Sequence, residues 1–248
     1  HAACSLADPV ARVAWTASAS TIRSWALPSS SASCLADAIL AEKGVLVVPD
    51  IRLDGAFAAV LRTAALGRNL VVAETNRVQR PFLQSTLDGD TYLRNSLKAH
   101  HFREFRRQMR RLGEHGKVAY TVARQPEEIR HGVEAFLTLE ASGWKGDSGT
   151  ALASKPGDIA FLKAAIPAMA MSGNAEVVTL ATGDKVVAAG VVLRHQNRAF
   201  WFKLGVDERF AKCSPGVQLT LDLTRHLCAD PAVVLADSTA GPDHPMIN

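Results

Sequence analysis

The chain is predicted to adopt an α/β fold, and three observations predict it. The stretch Ala199–Asp237 reads as strand, loop, helix and strand. The segment AFWFKLGV is aromatic and β-branched, and DERFAKCSPG carries charge, proline and glycine. VQLTLDLTRHLCA sets Val217, Leu219, Leu221, Leu223 and Leu227 around a largely buried helix, and Val233–Ala236 is a short apolar run. Two strands joined through a helix are expected to lie parallel, with a right-handed crossover. The second observation is the element order upstream: strand, two helices, then three antiparallel strands feeding that crossover. The third is that the first half alternates short strands with a helix.

Length and composition narrow the possibilities. A chain of 248 residues with 48% hydrophobic content builds one large domain or two smaller ones. No run of about twenty apolar residues occurs, so no membrane-spanning helix is expected, and the first residues do not read as a signal segment. Cys4, Cys34, Cys213 and Cys228 form neither a C-x-x-C pair nor a metal-ligand spacing. Free thiols in a reducing cytoplasm fit that pattern, and no metal is expected. A net charge of +4 favours anionic partners in general rather than nucleic acid in particular.

The elements follow in order. Val10–Trp15 is expected as a strand, Leu35–Glu42 as a short helix, and Val45–Val48 as a strand ended by Pro49-Asp50. Asp54 is placed to cap a helix through Leu66, with Phe57, Val60 and Leu61 on one face. Asn69–Ala73 reads as a further strand, and this half carries no recognisable chemistry.

Lys98–Lys117 is the most polarised helix. Phe102, Phe105, Met109 and Leu112 form one apolar stripe, while Arg103, Arg106, Arg107, Arg110 and Arg111 take the other side. That side is either a solvated basic face or a surface for an anionic substrate, nucleic acid or anionic lipid headgroups. Gly113 and Gly116 end the helix and mark a boundary.

Lys117–Ala123 alternates as a strand. Pro126-Glu127-Glu128 opens a helix carrying Ile129, Val133, Phe136, Leu137 and Glu140 at helical spacing. Ile159–Met171 is a second helix. Glu176–Ala181, Lys185–Arg194 and Ala199–Val206 form the antiparallel meander. Ser214-Pro215-Gly216 then opens the next helix. Helix N-termini present unpaired N–H groups and a positive dipole end to phosphate, although the same residues also serve as plain caps.

Four stretches carry a family resemblance: REFRRQMRRLGEHG at Arg103–Gly116, FLTLEASGWKGDSGTAL at Phe136–Leu152, KLGVDERFAKCSPGVQL at Lys203–Leu219, and DSTAGPDHPMIN at Asp237–Asn248. Together they resemble the GNAT-fold acyltransferases of CelD type, which are related to the FemAB aminoacyltransferases with two GNAT units in tandem. The resemblance runs from about Arg94 to Asn248.

It implies a GNAT fold with a degenerate first unit at 1–97, a connecting basic helix at 98–116 and an acyltransferase domain at 117–248 whose fold continues past Asn248. It also implies an N-acyltransferase using acetyl-CoA or another acyl-CoA and no metal. The amine acceptor implied is an amino sugar of bacterial exopolysaccharide or cell-envelope synthesis, small or carrier-linked. The protein is then cytoplasmic, at or near the inner membrane face. Alternatives are a FemAB-like enzyme using aminoacyl-tRNA, and a GNAT-like binding module without catalysis.

The loop differs from the usual pattern of basic or Gln residue followed by several glycines. Here Arg209, Lys212, Ser214, Pro215, Gly216, Val217 and Gln218 stand in the donor-binding position. Asp237, at the carboxyl end of the last strand, is expected as a base or amine-orienting carboxylate, or else as a cap for the turn at Ser238. His244 is the second candidate. Glu140 is an orienting carboxylate or a solvated helix-end acid. Trp144 and Lys145 are expected to contact a sugar face and a phosphate. Lys203 contacts a ligand or pairs with Asp207 or Glu208, and Arg106 and Arg110 face an anionic acceptor.

Overall fold

The structure is a computed structural model of the 248-residue chain and describes residues 12–18, 36–41, 45–48, 51–78, 80–142, 152–154 and 156–240. The chain divides into two compact units, His1–Pro81 with Thr239–Asn248, and Phe82–Ser238. No described helix is long and apolar enough to cross a membrane.

The first unit holds a three-stranded parallel sheet in the order β2-β1-β3, where β1 is Arg12–Ser18, β2 Val45–Val48 and β3 Val71–Val78. Helix α1, Ala56–Gly67, buries Ala58, Leu61 and Ala65 against Ala36, Leu40 and Ile51, with Leu46, Val48 and Val72 of the strands beneath. The sequence places Asp54 as its cap. Gly55 is the N-cap instead, with no side-chain bond, and Asp54 is held by the Arg52 guanidinium at 2.5 and 2.7 Å. Asn69, expected inside a strand, takes a left-handed φ of 57° and turns the chain out of α1 before β3 begins.

The second unit is built on a six-stranded sheet in the order β4-β9-β8-β7-β6-β5. Its elements are β4 Phe82–Leu83, α2 Gly89–Ser96, α3 Ala99–Gly113, β5 Val118–Ala123, α4 Pro126–Ser142, α5 Pro156–Met171, β6 Ala175–Thr182, β7 Lys185–His195, β8 Arg198–Val206, α6 Pro215–Ala229 and β9 Leu235–Asp237. Strands β5 to β8 are an antiparallel meander, β9 joins β8 in parallel, and β4 pairs antiparallel with β9.

Alternation along the strands sorts the core into two layers. On one face Val178, Leu180, Val192, Ala199 and Trp201 meet Leu112 of α3 and Leu219, Leu223 and Leu227 of α6. On the other, Val177, Ala189 and Val191 meet Ile129, Val133 and Phe136 of α4 and Leu162 and Ile166 of α5.

A connecting helix is expected at 98–116, with Gly113 and Gly116 marking the boundary. The two compact units part between Pro81 and Phe82. Helices α2 and α3 are tied to α6 by side-chain bonds, Arg225 Nε to Asp90 Oδ1 at 2.8 Å and Gln218 Nε2 to the Phe105 carbonyl at 3.0 Å. The basic helix is therefore an integral layer of the second unit.

Candidate active site

Strands β8 and β9 are in register at Arg198–Leu235, Ala199–Ala236 and Phe200–Asp237, and their pairing then stops. Strand β8 continues to Val206 on β7. Val191 lies opposite Lys203 and Val192 opposite Trp201, which leaves Phe202 as the extra residue of a β-bulge. A bulge bends its strand and strengthens the local twist, and this one lies two residues past the last pair that β8 makes with β9. The bulge also puts two consecutive side chains on the α4 face. Phe202 packs into the α4 and α5 core, and Lys203 stands opposite the buried Val191 of that same core.

Asp237 closes β9, held between Phe82 of β4 and Phe200 of β8 and only 3% exposed. Its neighbour Ala236 belongs to the α6 layer, so alternation turns Asp237 to the α4 face, the face of Lys203.

From the α4 side comes Glu140, 2% exposed. Its Oε2 accepts the Leu152 N–H at 2.8 Å, while Oε1 has no hydrogen-bond partner among the described residues and stands 3.9 Å from Lys203 Nζ. Expected as a solvated or orienting acid, it is buried one turn before its helix ends. Helix α4 reaches β8 this closely because residue 205 is glycine. A Cβ there would lie 2.8 Å from Glu140 N and 3.0 Å from the Phe136 carbonyl oxygen. The pairing of Lys203 with Asp207 or Glu208 gives way to Glu140, since Asp207 is engaged by Arg209. Beside the end of α4, a cavity of about 500 Å³ opens between Thr138, Leu139, Ser142, Val186, Asp207 and Arg209.

Beyond β8, the Asp207 N–H bonds to the Val187 carbonyl at 2.9 Å. Its carboxylate accepts the Arg209 backbone N–H at 3.0 Å and the Arg209 guanidinium at 2.7 to 3.1 Å. Those bonds hold the Asp207 carboxyl below its usual range. A short 3-10 helix, Glu208–Cys213, replaces the expected open loop, and Ser214 takes φ 46° and ψ 58°. Pro215 is the first residue of α6 and carries no N–H. The Gln218 N–H bonds to the Ser214 carbonyl at 3.1 Å. Gly216 and Val217 thus offer the two N–H groups at this helix end that no described acceptor takes.

The placements of the other expected residues differ. Gln218, expected at the donor, is 2% exposed and its amide holds α3, so its side chain is structural. Lys212 is exposed, as are Arg106 and Arg110 on the outer side of α3. Trp144, Lys145 and His244 lie outside the described residues. Among the described residues, no cluster of three or more His, Cys, Asp or Glu is arranged to hold a metal.

A buried network on the α6 face of the sheet was not expected from the sequence. Glu176, 2% exposed, receives Arg124 Nε at 3.0 Å, Arg194 Nη1 at 2.8 Å and His226 Nε2 at 3.1 Å, and Arg194 also pairs with Asp230. Burial pushes the Glu176 pKa up, but the bonds from His226 and Arg124 and the Arg194 charge more than reverse it, leaving it below the usual range.

A meander, a short parallel strand pair and a helix N-terminus beside it make up this α/β site. The chain belongs to the acetyltransferase (GNAT) domain family, whose profile matches residues 99–242. Its fold is similar to that of FemX, with a TM-score of 0.52 and 13% identity over 90% of this chain and 73% of that one. A conserved protein of unknown function from Bacteroides thetaiotaomicron VPI-5482 aligns with a TM-score of 0.47 and 11% identity, over 75% of this chain and 67% of that one. A comparison with curated proteins gives no match.

Proposed function

We propose that this chain is an N-acyltransferase that moves an acyl group from a coenzyme A thioester to the amine of an amino sugar, in the cytoplasmic steps of bacterial exopolysaccharide or cell-envelope synthesis. The observation that carries the reading is the end of the β8–β9 pairing beside the β8 bulge, with Asp237, Lys203 and Glu140 on one face of the sheet there. When bound, the coenzyme supplies an activated thioester. Gly216 and Val217 suit a phosphate of that donor through their N–H groups and the helix dipole. Asp237 is the residue to receive the proton of the acceptor's ammonium, and the Glu140–Lys203 pair orients polar groups of the acceptor. The amino sugar and the CelD-type assignment rest on the resemblance of Phe136–Leu152, Lys203–Leu219 and Asp237–Asn248. The first unit is read as the reduced half of a tandem pair.

The test is thiol release from acetyl-CoA and longer acyl-CoAs with a panel of amino sugars. Turnover confined to amino-sugar acceptors supports the reading. Consumption of aminoacyl-tRNA, with no thiol release from any acyl-CoA, would replace it by the FemX-like alternative.

A further inference from the structure

Helix α3 concentrates the positive charge of the chain. Residues 94–111 contain seven Arg and Lys against one acid, Glu104, whereas the whole chain is at +4, so the remainder is net acidic. On a helical wheel the arginines at 103, 106, 107, 110 and 111 fall within an arc of about 140°. Phe102, Phe105, Met109 and Leu112 fall on the opposite side, with Leu112 and Met109 in the core. Glu104 takes Arg107 at 2.7 Å. Among the described residues, Arg106, Arg110 and Arg111 have no carboxylate partner.

The helix that carries this outward face packs beside the donor loop. Gln218 of α6 holds the Phe105 carbonyl, and the His115 ring meets Phe210 of the 3-10 helix edge-on at 5.1 Å. The loop itself is poorly equipped for a free coenzyme. Coenzyme A carries a diphosphate and a 3′-phosphate. The helix end offers the N–H groups of Gly216 and Val217 with the single exposed lysine Lys212 before it, and the Arg209 guanidinium is already given to Asp207. A phosphopantetheine arm on a protein carries a single phosphodiester, which such a modest site suits. Its missing affinity must then come from elsewhere, and a row of arginines next to the loop is where carboxylates would supply it.

We propose that α3 is the docking face for an acidic acyl carrier protein, which presents the acyl thioester on its phosphopantetheine arm to the end of the β8–β9 pairing. The proposal rests on the acyl-transfer reading above and changes the bearer of the donor. The carbonyl–sulfur bond breaks, the acceptor nitrogen takes the acyl carbon, and the carrier leaves as its thiol with the proton the amine gives up. RNA fits this face less well. Arg103 to Arg111 span about 12 Å of helix axis, and no Phe, Tyr or Trp of 94–116 is exposed to stack on bases.

The experiment is fluorescence anisotropy with the purified chain and labelled octanoyl-loaded bacterial acyl carrier protein, with octanoyl-CoA and bulk tRNA as competitors, at two salt concentrations. The octanoyl carrier is expected to bind at least tenfold more tightly than octanoyl-CoA, with marked salt dependence. The Arg106→Glu/Arg110→Glu variant, checked for an unchanged melting temperature, should lose at least tenfold in carrier affinity and less than threefold for octanoyl-CoA. Lysine at both positions should restore most of the carrier affinity. Octanoyl-CoA binding as tightly as the carrier, or a charge reversal without effect on the carrier, overturns the proposal and leaves acyl transfer standing. Tighter binding of tRNA than of the carrier assigns the face to RNA and also overturns it. Binding of neither thioester takes down the acyl-transfer reading together with the proposal.

Discussion

Gly205 and Glu140 are in backbone contact: a methyl group on Gly205 would sit 2.8 Å from the Glu140 nitrogen. The contact seats the last turns of α4 on β8 and brings the Glu140 carboxylate to Lys203. Gly205→Ala has no flexible side chain to push aside, since two of its nearest neighbours are backbone atoms. It is expected to cost about 1–3 kcal/mol, seen as a lower midpoint in urea, and to reduce acyl transfer in the fraction that still folds. Unchanged stability would mean that α4 yields easily and that the Glu140–Lys203 spacing is not fixed by this glycine.

Gly216 is different. A Cβ there would meet Leu204 Cδ2 and Val206 Cγ1 at 3.0 Å each, both ends of movable side chains. Gly216→Ala should therefore fold with a loss below about 1 kcal/mol, while Gly216→Val lowers the melting temperature clearly. The packing of Gly216 against Leu204 and Val206 of β8 is what makes a β-branched side chain costly there. Thioester affinity measured on the alanine variant reports the donor site. The valine variant mixes it with misfolding.

Glu176 gives the pH dependence of the second unit. Its pKa is lower folded than unfolded. Its contribution is therefore complete above the unfolded carboxylate value of about 4.3 and is lost as pH falls through the folded value. Glu176→Gln strips Arg194 and His226 of a buried partner, and such losses run to about 3–5 kcal/mol. Thermal unfolding followed from pH 3 to 7 should show the wild type and variant converging in acid and diverging toward neutrality. Parallel curves would locate the acid sensitivity elsewhere.

Asp237→Asn keeps the size of the side chain between Phe82 and Phe200 and removes its basicity. An alkylammonium acceptor has a reference pKa near ~10.4, so a base is needed at neutral pH. Turnover should fall about a hundredfold or more, with donor affinity nearly intact, and the deficit should shrink as pH rises. Normal turnover in a protein with a much lower melting temperature would make Asp237 a structural residue and turn attention to His244.

The second half was legible in the sequence because its signals are local. Alternation marks β5 to β8, and the apolar spacing of Ile129, Val133 and Phe136 marks α4. Helix α2 and strand β4 were not expected. Phe82–Leu83 is two residues long and acquires meaning only beside β9. Helix α2 is short and polar, started by the Asp88 carboxylate accepting the Thr91 N–H at 3.0 Å. The burial of Glu140 was illegible for a related reason: it depends on a glycine 65 positions away in the chain. Likewise the Gln218 side chain reads as part of a donor site until Phe105, on another helix, takes its amide. The Glu176 network joins four elements or their flanks, and no single stretch of sequence contains it.

Strand β9 is three residues long and is gripped on both sides, by β8 and by β4. The family match begins at residue 99, after β4. A recombinant fragment trimmed to that limit would bare one side of β9 and leave its backbone groups open to strands of other molecules. It would also remove the Asp90 partner of Arg225. Shortened versions meant for expression should therefore start ahead of Phe82, and those that start later are expected to self-associate through the very strand that carries Asp237.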